Sequence, residues 1–165
     1  MTANAETIVV LGVGNILLKD EGVGVRVVEE LQSRYDFPDN VRVVDGGTQG
    51  LWLMATLQEA RRLIVVDAVH GGGPPGTVYR LEKDDLPTGL RAKQSAHDSD
   101  LVEALNLCRL LETEPETVVV VGIEPADIQP FGLELTPAVA CKVEHLIENV
   151  LNELRSLGVE PQKRL

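Results

Sequence analysis

The chain has 165 residues, 44% of them hydrophobic, and a formal charge of −11. A single domain over 1–165 can bury a core of this size without disulfides, and the two cysteines, Cys108 and Cys141, form neither a disulfide framework nor a CxxC pair, which points to a reducing compartment. The acidic balance argues against nucleic acid or an anionic membrane as partner; with no apolar run near ~20 residues and no secretory pattern in "MTANAET", a cytoplasmic protein without membrane insertion is expected.

The run "TIVVLGV" (7–13) is rich in Val and Ile and nearly continuous, as in a parallel sheet covered on both faces. Residues 22–35 follow as a helix with Val23, Val27, Val28 and Leu31 at helical spacing. A second strand, "VRVVD" (41–45), leads to a helix over 50–60 and a third strand, "RLIVVDAV" (62–69). The loop "HGGGPPG" (70–76) runs into "GTVYRLE" (76–82), whose alternation suits an edge or antiparallel strand. The stripe Leu101, Leu105, Cys108 and Leu111 predicts a helix over 99–112, and "TVVVVGI" (117–123) a fourth buried strand. The last helix, 137–156, has Thr136 as a cap, Pro137 in its first turn and Gly158 at its end. The order predicts a three-layer, doubly wound α/β domain: a mostly parallel twisted sheet of about five strands, flanked by helices on both faces. The ends, about 1–6 and 158–165, are expected to fray.

Chemistry-bearing residues gather after the strand ends. In "GVGNILLKDEGVG", Gly12 and Gly14 fit the first two glycines of a dinucleotide fingerprint, but Leu17 stands where the third belongs. Asp20 and Glu21 then arrive at the expected helix start, where carboxylates are stabilised and a phosphate would be repelled. Asp20 can be a plain helix cap. Asp45, in "VVDGGTQG", can bind a ribose or make an Asx turn. Asp67 ends an apolar strand, where an unpaired carboxylate is costly. Ligands of open α/β sheets bind outside the carboxyl ends of the strands. Glu21, Asp45 and Asp67 all lie there, with Lys19 as the one nearby base, so a cation is a natural partner.

His97, in the polar loop "KQSAHDSDL", can join two carboxylates around a borderline divalent metal, with Asp98 orienting its ring. His70 is a weaker candidate of the same type. The row Cys141, His145 and Glu148 reads as helix surface, and Cys108 as core. No GxSxG or HExxH occurs, and neither cysteine has a plausible local partner base, so a Ser or Cys triad has no support.

Together, "LGVGNILLKDEGVGVRVVEEL", "VVDGGTQG", "LIVVDAV", "GTVYRL", "SAHDSDL" and "LELTPAV" resemble, in order and spacing, the hydrogenase maturation endopeptidases, over about residues 8–155. The resemblance implies an endopeptidase that removes a C-terminal extension from the large-subunit precursor of a nickel-iron hydrogenase after nickel insertion. It implies Glu21, Asp67 and His97 as contacts to nickel carried by the substrate rather than held at rest. It ties Asp45, Gly46, Gly47 and Thr48 to substrate choice and cleavage. The catalytic group stays open: the metal can polarise the scissile carbonyl, or Asp45 or Asp67 can act as a base on water. Two other readings remain beside this one: a dinucleotide-binding Rossmann-like protein, and a non-catalytic nickel sensor or chaperone.

Overall fold

A computed structural model describes residues 6–48, 50–85, 96–129 and 131–165, the side chains of 51 and 96–100 excepted. Five strands form the main sheet: β1 (Ile8–Val13), β3 (Val41–Gly47), β4 (Arg62–Ala68), β5 (Val78–Glu82) and β6 (Thr117–Ile123). Their spatial order is β3-β1-β4-β6-β5, all parallel except β5, which pairs antiparallel with β6. This is the doubly wound sheet expected from the run of Val- and Ile-rich segments. All of β1 is buried, as is β4 beyond Arg62, because both lie inside the sheet with helices over each face.

Helices α1 (Val23–Arg34) and α5 (Val143–Ser156) cover one face, against Ile8, Val10, Ile64, Val66 and Ala68. Helices α2 (Leu53–Glu59) and α3 (Ala96–Leu110) cover the other, against Val9, Leu11, Leu63 and Val65. The strands' alternation of side chains thus divides the core into two clusters.

Four boundaries differ from the sequence reading. The last helix is interrupted: α4 (Pro137–Ala140) precedes α5, and the bonding tightens at the junction, where Lys142 N–H donates to the Val139 carbonyl. Thr136 is the N-cap residue of α4 but makes no side-chain cap bond, because its hydroxyl is used elsewhere. Helix α3 begins at Ala96, so His97 lies in its first turn and not in a loop before it; acidic residue types there suit a helix N-terminus. The tail expected to fray is paired instead. Strand β7 (Gln162–Lys163) runs antiparallel to β2 (Tyr35–Asp36), Arg164 Nε meets Asp36 at 2.8 Å, and Val159 is buried.

Candidate functional site at the carboxyl edge of the sheet

The chain leaves β1 at Gly14, whose φ of +128° and contact with the Glu21 carbonyl leave no room for a Cβ. Its N–H donates to the Gly47 carbonyl at 2.9 Å, tying the exits of β1 and β3 together. A 3-10 turn over Lys19–Gly22 then leads into α1. Close packing of that junction on the sheet depends on Gly24, where a Cβ would strike the Val66 carbonyl. The turn carrying Glu21 therefore packs against β4, the strand carrying Asp67.

Asp20 is completely buried, and it does not cap a helix. The N-cap of α1 is Gly22, without a side-chain bond. The Asp20 carboxylate reaches 106 to 116 residues along the chain instead. Its Oδ2 accepts the Ala126 N–H at 2.9 Å, the Asp127 N–H at 3.0 Å and the Thr136 hydroxyl at 2.7 Å, and its Oδ1 accepts the Thr136 N–H at 2.8 Å. Lys19 adds an ion pair to Asp127 at 2.7 Å and donates its N–H to the Gly132 carbonyl. Lys19 holds a φ of +52°, strained for a residue with a side chain, as part of this clamp. The pair Asp20 and Lys19 thus locks the segment 126–136 over the turn, and Glu21 is fixed beside it at 5% exposure.

Asp67, 6% exposed, is the next-to-last residue of β4, opposite Gly122 of β6. Strand alternation puts it on the face of Leu63 and Val65, the side covered by α2 and α3. Helix α3 ends at Leu110, and Glu116 then donates its N–H to the Arg61 carbonyl beside the start of β4. At the level of whole elements, the helix packs on α2 and on the Gly50–Trp52 turn that follows β3. The His97 side chain is outside the described residues. Among the described residues, no three His, Cys, Asp or Glu side chains form a group able to hold a metal ion.

Asp45 is exposed near the end of β3, and its Oδ1 accepts the Gly47 N–H at 2.9 Å, an Asx turn. Gly46 is buried against Leu11 and Leu53, while Thr48 is exposed. The loop 45–48 thus has a fixed backbone and polar groups at the surface. Cys108 is fully buried in the core, where burial pushes its thiol pKa up, and Glu148 is paired with Arg155 at 2.8 Å. Neither invites chemistry.

Sequence reasoning passed over Glu124, which is 8% exposed immediately after β6. Its signal was the same as that of Asp67: an acid directly following a strand of four consecutive valines. It holds the loop that begins at His70, whose Nδ1 lies 4.0 Å from Glu124 Oε1.

A model of the hydrogenase maturation protease family matches residues 25–153. The hydrogenase expression/formation protein HupD of Rhodobacter capsulatus is 40% identical over 159 residues, covering 96% of this chain and 76% of that protein. The hydrogenase 2 maturation protease of Escherichia coli strain K12 is 41% identical over 154 residues, covering 93% of each. The solved structure of the hydrogenase maturating endopeptidase HybD from E. coli superposes with a TM-score of 0.90 at 40% identity, covering 96% of this chain and 98% of that one. The chain belongs to the hydrogenase maturation protease family. Like the family, it is a peptidase.

The two other readings fall away with this membership. Gly14 serves the chain's own turn, since the Glu21 carbonyl takes the place a Cβ would need. Asp45, the candidate ribose ligand, instead closes its own turn on Gly47. A non-catalytic sensor likewise finds no support among peptidase relatives. Among the described residues, no helix of this maturation protease is long and apolar enough to cross a membrane.

Proposed function

We propose that this maturation protease removes the C-terminal extension of a nickel-iron hydrogenase large-subunit precursor in the cytoplasm, after nickel has entered that subunit. The observation that carries the reading is the pair Glu21 and Asp67, two buried carboxylates on neighbouring segments at one edge of the sheet. Both sit at the carboxyl edge, where open α/β sheets place their ligands. With the His97 imidazole they make a set suited to a borderline divalent ion such as nickel. Here the ion is part of the substrate, so its presence on the precursor acts as a checkpoint for cutting. When bound, nickel supplies Lewis-acid polarisation.

The protein's own residues do the rest. Loop 45–48, with Asp45, Gly46, Gly47 and Thr48, receives the chain around the scissile bond. Hydrolysis needs a base to take a proton from the attacking water as its oxygen joins the carbonyl carbon, and the departing amine must gain a proton. Asp45 and Asp67 are the candidates for the base.

Single variants Glu21→Gln, Asp67→Asn and His97→Gln, offered nickel-loaded precursor, are expected to lower kcat/KM by about 100-fold or more each, the scale of losing a group that fixes the reacting geometry. Cleavage at the wild-type rate by the triple variant rejects the ligand assignment. Asp45→Asn with intact binding and lost turnover assigns the base to Asp45; the same result in Asp67→Asn assigns it there.

A further inference from the structure

Glu124 is bound to the connection between β4 and β5 by every part of its structure. Its N–H donates to the Thr77 carbonyl at 2.8 Å, and its carbonyl accepts the Gly76 N–H at 2.9 Å. Its Oε2 accepts the Gly71 N–H at 2.7 Å and the Tyr79 hydroxyl at 2.9 Å. That hydroxyl in turn accepts the Gly73 N–H at 2.9 Å. Burial, reinforced by the bond to Glu124, raises the phenol pKa above its usual 10.0, so Tyr79 remains a donor at any physiological pH.

The loop held in this way begins three residues after Asp67, and Val69 N–H donates to the Ile123 carbonyl just before it. It contains three glycines and two prolines in succession. Such a glycine run has many conformations and loses much entropy when a ligand orders it. A nearly buried carboxylate is a costly means of tethering a surface loop, since main-chain turn bonds suffice for that purpose. Its placement is economical if the loop must be ordered before a ligand arrives, because ordering in advance removes that cost from binding.

We propose that Glu124 is a positioning residue for the peptide substrate. Through Gly71 and Tyr79 it sets the 70–76 loop, with His70 at its head, as the wall against which the precursor's C-terminal segment lies beside Asp67. The inference rests on the function proposed above.

Kinetics with nickel-loaded precursor test it. Glu124→Ala is expected to raise KM about tenfold while kcat stays within about threefold, since binding common to ground and transition states is what it removes. Glu124→Gln retains an oxygen able to accept both hydrogen bonds, and KM returns to the wild-type value. Tyr79→Phe, which loses the link to Gly73, raises KM about threefold. All are compared below their own melting midpoints; a purely structural role would lower the midpoint without moving KM. An unchanged KM in folded Glu124→Ala overturns the proposal, as does a Glu124→Gln variant as impaired as the alanine. If the alanine variant does not fold, Tyr79→Phe decides by the same criterion. A wild type that binds loaded precursor without cutting it contradicts the proposed function alone, and the same variants then decide this inference through Kd.

Discussion

Removing the Asp20 side chain strands four donors that have no other partner within the turn: the amides of Ala126, Asp127 and Thr136 and the Thr136 hydroxyl. Hydrogen bonds to a buried charge are the strong ones, and orphaned donors carry a full desolvation cost. Asp20→Ala is therefore expected to destabilise the fold by about 3–5 kcal/mol, and Thr136→Val, which removes one donor of the four, by about 1–2 kcal/mol. Urea unfolding measures both; equal losses would mean that the backbone donors contribute nothing. The neighbouring ion pair supplies a pH signature. Hydrogen bonds from Lys19 and the Gln129 amide hold the Asp127 carboxyl below its usual 3.8. The folded state thus binds the proton more weakly than the unfolded one. The pair's contribution is complete above 3.8 and is lost as pH falls through the lower, folded value. The stability gap between wild type and Asp127→Asn should therefore narrow as pH falls from about 6 to about 2; a gap that widens on acidification contradicts the clamp.

Among the elements, the strands of the main sheet were legible because their apolar runs have the length and Val/Ile content of buried parallel strands, and "GTVYRLE" betrayed its edge position by alternation. The β7 pairing was not legible. Gln162 and Lys163 are polar, and only the short strand exposed after α1 gives them a partner. That pairing lies where α1 ends, away from the carboxyl edge. Truncation after Glu160 should lower stability by about 1–2 kcal/mol through lost bonds to Tyr35, Asp36 and Arg34. The folded remainder should keep its cleavage rate; a lost rate with intact folding would place the tail in the site. The site itself was half legible. Acids after strand ends follow from the rule for open α/β sheets, which singled out Glu21, Asp45 and Asp67. The partners of Asp20 lie more than 100 residues away, a distance no local pattern reveals. For that reason it read as a cap; Glu124, bound to Gly71 and Tyr79, 53 and 45 residues away, was passed over although it directly follows a strand.

Over the whole molecule, the sheet order brings the exits of β1, β3, β4 and β6 to one edge, and each exit delivers a carboxylate. A chain of net charge −11 that concentrates acids there repels phosphate and attracts cations. This favours a metal-bearing substrate over a nucleotide, in keeping with the proposed nickel checkpoint. The direct measurement is the mass of a hydrogenase large-subunit precursor after incubation with the purified protein, once with nickel inserted and once without. Loss of the C-terminal segment only from the nickel-loaded precursor is the expected result; equal cleavage of both forms would contradict recognition through the substrate's nickel.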